Sequence, residues 1–196
     1  MIPFERDGHE LVSELDDFEV ALISSLVAQV SELIGSGGVE ASSDPFAQWA
    51  REMRGSAPLD RSDPVVARLF PDAYNDEAAA AEHRRYSQDA LRRERIEQSC
   101  VVLADLAATR DGEEPLVIAL EDVDAWLRTL NGVRISLAVR LGIESESDHA
   151  ALEKLSARDP RTQLVRRCGQ RIATAVETFL RDNHMNDRVS EFQWEF

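Results

Sequence analysis

Apolar residues recur at spacings of three and four along most of this chain, the period of helices buried on one face. Leu15, Phe18, Leu22, Leu26, Val30 and Leu33 form one row, and Val20, Ile23, Val27 and Ile34 form a second. Together they predict a helix that is apolar around much of its circumference and central in the core. Ser13 is its expected cap, with Asp16 three residues on as the capping acid, and Gly35 ends it. Before it, Ile2 to Glu5 and His9 to Val12 flank Arg6-Asp7-Gly8, a turn sequence suited to positive φ. Residues 2–12 therefore read as a small hairpin, and Ser36-Gly37-Gly38 as a loop after the helix.

Two Asp-Pro pairs each announce a short helix, because an Asp cap followed by Pro at the first helical position satisfies both ends of the start signal. Asp44-Pro45 leads into Phe46, Trp49 and Met53; Asp63-Pro64 leads into Val65, Val66, Leu69 and Phe70. Residues 55–62 link the two. Asn75 to Thr109 predicts a long helix whose apolar stripe thins from Arg92 to Arg95, which points to a kink or an exposed middle. Asp111-Gly112-Glu113-Glu114-Pro115 breaks it, and the apolar run Leu116 to Leu120 reads as a short strand. Val123, Trp126, Leu127, Leu130, Val133, Leu137 and Leu141 then outline a strongly amphipathic helix closed by Gly142. A short helix over 148–155 follows. Asp159-Pro160 opens the last long one, striped by Val165, Cys168, Ile172, Val176 and Phe179. The expected fold is mainly α: a single-domain helical bundle of about five main helices with a small N-terminal β-hairpin. It spans residues 1–183, with the hairpin at 2–12 and helices over 13–182, and 184–196 form a C-terminal tail.

Composition adds that 43% of the 196 residues are hydrophobic, enough for a sizeable core. No continuous run approaches the roughly 20 apolar residues of a membrane helix, and Met1 to Glu10 carries no signal-peptide stretch. Cytoplasmic residence without a membrane partner is the expectation. The net charge is −15, from 22 basic and 37 acidic residues, which opposes attraction to phosphate backbones. That charge is uneven. Met1 to Asp63 holds 13 acids and 4 bases, whereas five Arg crowd each of the stretches 84–95 and 158–171.

No phosphate-cradling glycine loop follows a strand, and no nucleophile constellation is visible. His9, His83, His149 and His184 are too scattered for a metal site. The residues thus point to no cofactor, no metal and no enzymatic activity. Two groups of residues carry alternatives instead. Cys100 lies on the row Ile96, Cys100, Leu103, Ala107, and Cys168 on the row Val165, Cys168, Ile172. Both are expected to face the interior, either as small buried residues or as a redox pair or reactive thiol, Arg166, Arg167 and Arg171 favouring a thiolate at Cys168. Arg84, Arg85, Arg92 and Arg93, with Tyr86, form either a face for an acidic partner or nucleic acid, or a solvated helix surface laced by pairs such as Asp89–Arg93. Arg166 and Arg167 are a second candidate face.

Arg68-Leu69-Phe70-Pro71-Asp72-Ala73-Tyr74, with Glu82-His83-Arg84-Arg85 shortly after, carries a further signal. So does Trp126-Leu127-Arg128-Thr129-Leu130-Asn131-Gly132-Val133-Arg134, running on to Arg140-Leu141-Gly142-Ile143. Together with the acidic hairpin-then-helix opening, these stretches resemble an actinobacterial family catalogued as a domain of unknown function, some members of which are described as oxidative-stress transcriptional regulators. The similarity runs from the hairpin to the last helix. It departs at Gly132, where an acidic residue is expected. The resemblance implies a cytoplasmic, non-enzymatic regulator that contacts a protein partner such as the transcription machinery and senses oxidants through cysteine. Direct DNA binding through an Arg-rich helix is the alternative. With Cys100 and Cys168 so far apart in sequence, the resemblance gives neither of them the sensing role.

Overall fold

A computed structural model describes residues 4–35 and 59–142, together with Gln163. Four helices and three strands follow one another in these residues: β1 (Glu5–Asp7), β2 (Glu10–Ser13), α1 (Asp17–Gly35), α2 (Pro64–Leu69), α3 (Glu77–Ala108), β3 (Leu116–Ala119) and α4 (Val123–Arg140). The protein is mainly helical with a small antiparallel sheet. The expected helices after Asp44, over 148–155 and after Asp159 lie outside the described residues, as do the tail, Cys168, Arg166 and Arg167.

The expected hairpin is present but shifted, with Gly8 supplying the positive φ of the turn, and it is not alone. The order in the sheet is β1-β2-β3, so the second hairpin strand is central and pairs antiparallel with β3 in the register Leu11↔Ile118 and Ser13↔Leu116. Leu11, Leu116 and Ile118 are fully buried on one face, whereas Val117 between them is exposed. That alternation is the two-residue period of a sheet covered on one side. The covering layer is α3.

Pairing with β3 also moves the start of α1. Ser13 is the last residue of β2, so its backbone is extended and the helix cannot begin until the chain has left the sheet. Asp16 is the cap instead. Its Oδ1 accepts from the Glu19 amide at 2.7 Å and its own amide donates to Glu19 Oε2 at 3.3 Å, a reciprocal capping box. A helix starting there turns Val20, Ile23, Val27, Val30 and Ile34 to the core and leaves Phe18 60% exposed. Phe18 lies about 200° around the helix from Val20. By length and composition alone α1 could cross a membrane, although no single uninterrupted apolar run signals this. Here its buried row packs against α3 and α4.

Asp63 caps α2 as expected, accepting from the Val65 amide at 2.7 Å. The long helix α3 runs unbroken over 32 residues, roughly 48 Å, against 18 for α4. The helix is continuous through Arg92 to Arg95, where Arg93 and Glu94 are exposed and two arginines replace the missing apolar stripe on the inner side. Arg92 is 3% exposed and donates to the carbonyl of Gly35 at 2.9 Å, satisfying the C-terminal end of α1 where orphan carbonyls collect. Arg95 is half-buried, lies 5.3 Å from the centre of the Phe70 ring and donates to the carbonyl of Leu69 at 3.1 Å. The two guanidinium groups thereby tie α3 to the ends of α1 and α2.

A turn with positive φ at Arg110, Asp111 and Gly112 leads from α3 into β3. Gly112 is required there twice over: its φ is +86°, and a Cβ would lie 2.7 Å from the carbonyl oxygen of Leu15. In α4 the expected apolar row is buried from Val123 to Leu137 around Trp126, which has no exposed surface, whereas its last member, Leu141, lies past the helix and is 43% exposed. Gly142 follows the helix with φ +73°.

Candidate functional site

Residues on α3 that do not face the bundle form its outer surface, and this is where the sequence-derived candidates separate. The core-facing row is Arg92, Ser99, Val102 and Leu106. Steps of seven residues nearly close two turns of helix, so Tyr86, Arg93, Cys100 and Ala107 share one stripe, and all four are exposed. Tyr86 is the most open large hydrophobic side chain of the described residues at 74%. Cys100 is a free, solvent-exposed cysteine, not the interior residue expected. That error arose because Ile96 and Leu103 looked like the core stripe. The true stripe is disguised by the polar residues Arg92 and Ser99, the latter stabilised by donating Oγ to the carbonyl of Arg95 at 2.9 Å.

The arginines divide in the same way. Arg92 is interior and does not belong to a binding face. Arg84 is taken up by a network at the start of the helix, with Nη1 donating to Asp72 and Nη2 to Glu77 Oε1 at 2.7 Å. Arg61 completes it by donating to Asp72 Oδ2 at 3.0 Å and to the carbonyl of Phe70 at 2.8 Å. Hydrogen bonds to Glu77 and then Asp72 hold the Arg84 guanidinium above its ordinary pKa. The segment from Pro71 to Tyr74 is thereby fixed to α3, with Tyr74 also meeting His83 edge to face at 5.7 Å. Arg85 and Arg93 remain on the surface. Arg85 lies 6.0 Å from the Tyr86 ring centre, and Arg93 reaches the backbone carbonyl of Asp89 at 3.4 Å, not the expected carboxylate.

A second polar arrangement joins α3 to α4. The Trp126 indole donates to Asp105 Oδ2 at 2.7 Å. Burial pushes the Asp105 carboxyl above its ordinary pKa, with the indole hydrogen bond acting the other way and Asp122 adding to the rise. Further along α4, Arg134 donates twice to Asn131 Oδ1, at 3.2 and 2.9 Å, within its own helix, and burial lowers its pKa. Among the described residues no group of three His, Cys, Asp or Glu side chains is arranged to hold a metal ion.

The arrangement offers a long, ordered helical face with an aromatic ring, two cations and a thiol, flanked by a rigid turn. Sequence reading found its arginines and its cysteine but not their orientation. No curated protein and no solved structure matches this chain. The model of one family, described as Domain of unknown function (DUF2017), matches residues 1–180, and the chain belongs to that family.

Proposed function

We propose that this protein is a non-enzymatic, cytoplasmic regulatory protein that docks another protein along the outer face of α3, in a transcription-linked response to oxidants. The observation that carries the reading is the exposed stripe Tyr86, Arg93, Cys100 on an otherwise well-tied helix. An exposed tyrosine beside arginines is the composition of contact faces, and a rigid helix loses little entropy on binding. A solvent-facing thiol on the same stripe supports modulation by oxidation: peroxide takes two electrons from the sulfur, leaving a sulfenic acid and water.

Direct DNA binding draws less support. Of the four candidate arginines on α3, Arg92 is interior and Arg84 is neutralised by two carboxylates, which leaves Arg85 and Arg93 within a chain of net charge −15.

The test places a photo-crosslinking amino acid at position 86 or 93 of the full chain, with the exposed turn position 121, outside α3, as a control, before and after mild peroxide. A single protein captured from 86 and 93, insensitive to nuclease and changed in yield by peroxide through Cys100, is the expected result. Equal capture from 121 sinks the proposed face. Loss of capture on nuclease treatment, with duplex DNA binding at low salt, favours the DNA reading.

A further inference from the structure

The row Ile96, Cys100, Leu103, Ala107 has the spacing of a core stripe, yet the core lies on the other side of α3, behind Arg92, Ser99, Val102 and Leu106. At about 100° per residue, Tyr86, Ala90, Arg93, Glu97, Cys100 and Ala104 occupy the middle of the face opposite that core. All six are exposed. Their steps alternate between four and three, the spacing of the seam in a two-helix coiled coil. Ile96 and Leu103 border the seam and are partly buried.

The order of side chains along this seam is self-complementary. An antiparallel pair of α3 helices, related by a two-fold axis beside residue 95, sets Arg93 opposite Glu97 of the second copy and Glu97 opposite Arg93 of the second copy. The same axis sets Tyr86 against Ala104 and Ala90 against Cys100, the larger side chain against the smaller in each pair. Every pairing occurs twice, as a two-fold contact requires. Neither Arg93 nor Glu97 has an ion-pair partner within its own chain among the described residues; Arg93 reaches the carbonyl of Asp89 at 3.4 Å. One like-charge pair opposes the contact, Glu94 with its own copy beside the axis. Its carboxylate accepts from Gln98 at 3.1 Å, and two opposite-charge pairs stand against it. A parallel arrangement would instead set Arg93 on Arg93 and Glu97 on Glu97, so charge selects the antiparallel one.

We propose that this protein forms a symmetric dimer in which α3 packs antiparallel against α3 of a second copy, with two Arg93–Glu97 ion pairs at the centre of the seam. The proposal rests on the reading of the α3 stripe as a docking face. The second copy covers that stripe when no other protein holds it, so self-association and partner binding exclude one another.

Sedimentation equilibrium of the purified full chain under reducing conditions, over a range of concentrations, is the test. The wild type should show a reversible monomer–dimer equilibrium. Arg93→Glu brings four carboxylates together at the centre of the seam and should raise the dimer dissociation constant about tenfold or more. Glu97→Arg should do the same with four guanidinium groups. An equimolar mixture of the two variants restores both ion pairs, so it should form a heterodimer of wild-type strength, which also shows that both variants fold. On mild oxidation, Ala90→Cys should join Cys100 of the second copy in an intermolecular disulfide, whereas Ala107→Cys, on the same stripe but far from that cysteine, should not. A wild-type chain that is monomeric at every concentration overturns the dimer and leaves capture of a different protein from position 86 standing. Loss of that capture with the dimer intact removes only the docking of another protein. A dimer indifferent to both charge variants, a mixture that stays monomeric, or equal crosslinking at 90 and 107 overturns the antiparallel seam.

Discussion

Glycines 112 and 132 show how one residue type is used for opposite reasons. Gly112 sits at positive φ against the backbone of Leu15 and Asp16, so Gly112→Ala should cost about 2 kcal/mol or more, seen as a lower urea midpoint. Gly132 sits inside α4 with ordinary contact distances around a would-be Cβ, so Gly132→Ala should gain up to about 1 kcal/mol from helix propensity. Asp105 provides a test in pH. Its carboxyl has a raised pKa in the folded state, so the fold binds more protons at this site than the unfolded chain does. The contribution is therefore fully present below the ordinary carboxylate pKa and is lost as pH rises through the raised value. Asp105→Asn keeps an acceptor for Trp126 and removes this titration. Its stability relative to the wild type should rise as pH increases above the ordinary carboxylate range, and a parallel pair of stability–pH curves would refute the assignment. At this scale the sequence was legible where chemistry is local, as at Asp63, Gly112 and Gly142. It was opaque at Cys100, whose orientation depends on which of two neighbouring rows meets the core.

The first three helices are fixed at their ends as well as along their faces, each by an aspartate cap at its start. Asp16→Ala removes the capping box of α1 and should cost about 1 kcal/mol. Arg92→Met keeps the apolar stem and removes the hydrogen bond to Gly35, at a cost of about 1–3 kcal/mol, read from denaturant midpoints. The gap between the two variants would show whether α1 is held more by its start or by its end. Helix existence was readable in every described case, from periodicity in α1 and α4 and from the Asp63-Pro64 start signal in α2, while α3 was legible despite its thin apolar stripe. The start of α1 was not, because Ser13 and Asp16 are both good caps and only pairing with β3 decides between them. Nor was the middle of α3, since a row containing Arg92 and Ser99 reads as solvent-facing. Arg92 is buried because the end of α1 presents the Gly35 carbonyl to it, a fact of tertiary placement, and Ser99 because its hydroxyl donates to the Arg95 carbonyl one turn back.

For the molecule as a whole, the sheet is the joint between distant parts of the chain. Trimming the chain to start at His9 removes β1, an edge strand, and should leave a single cooperative melt. Starting instead at Glu14 removes the centre of the sheet and exposes Leu116 and Ile118. The expected outcome is a broadened transition or none, followed by circular dichroism. The apolar run Leu116 to Leu120 announced a strand, and the Asp-Gly turn announced a hairpin, but nothing local says that the two belong to one sheet. The tie from Arg95 to the Phe70 ring and the Leu69 carbonyl was equally hidden, since it joins α3 to the end of α2.

The central place of β2 has a consequence for the order in which the protein can be made. Leu11 leaves the ribosome before its partner Ile118, which follows about a hundred residues later, some 5–20 s at ordinary elongation rates. Throughout that interval the strand has one of its two neighbours, and the apolar side chain that will fill the middle of the sheet waits in water. The acidic residues around it, Glu5, Asp7, Glu10 and Glu14, keep nascent chains from pairing with one another through that open edge until β3 arrives to close it.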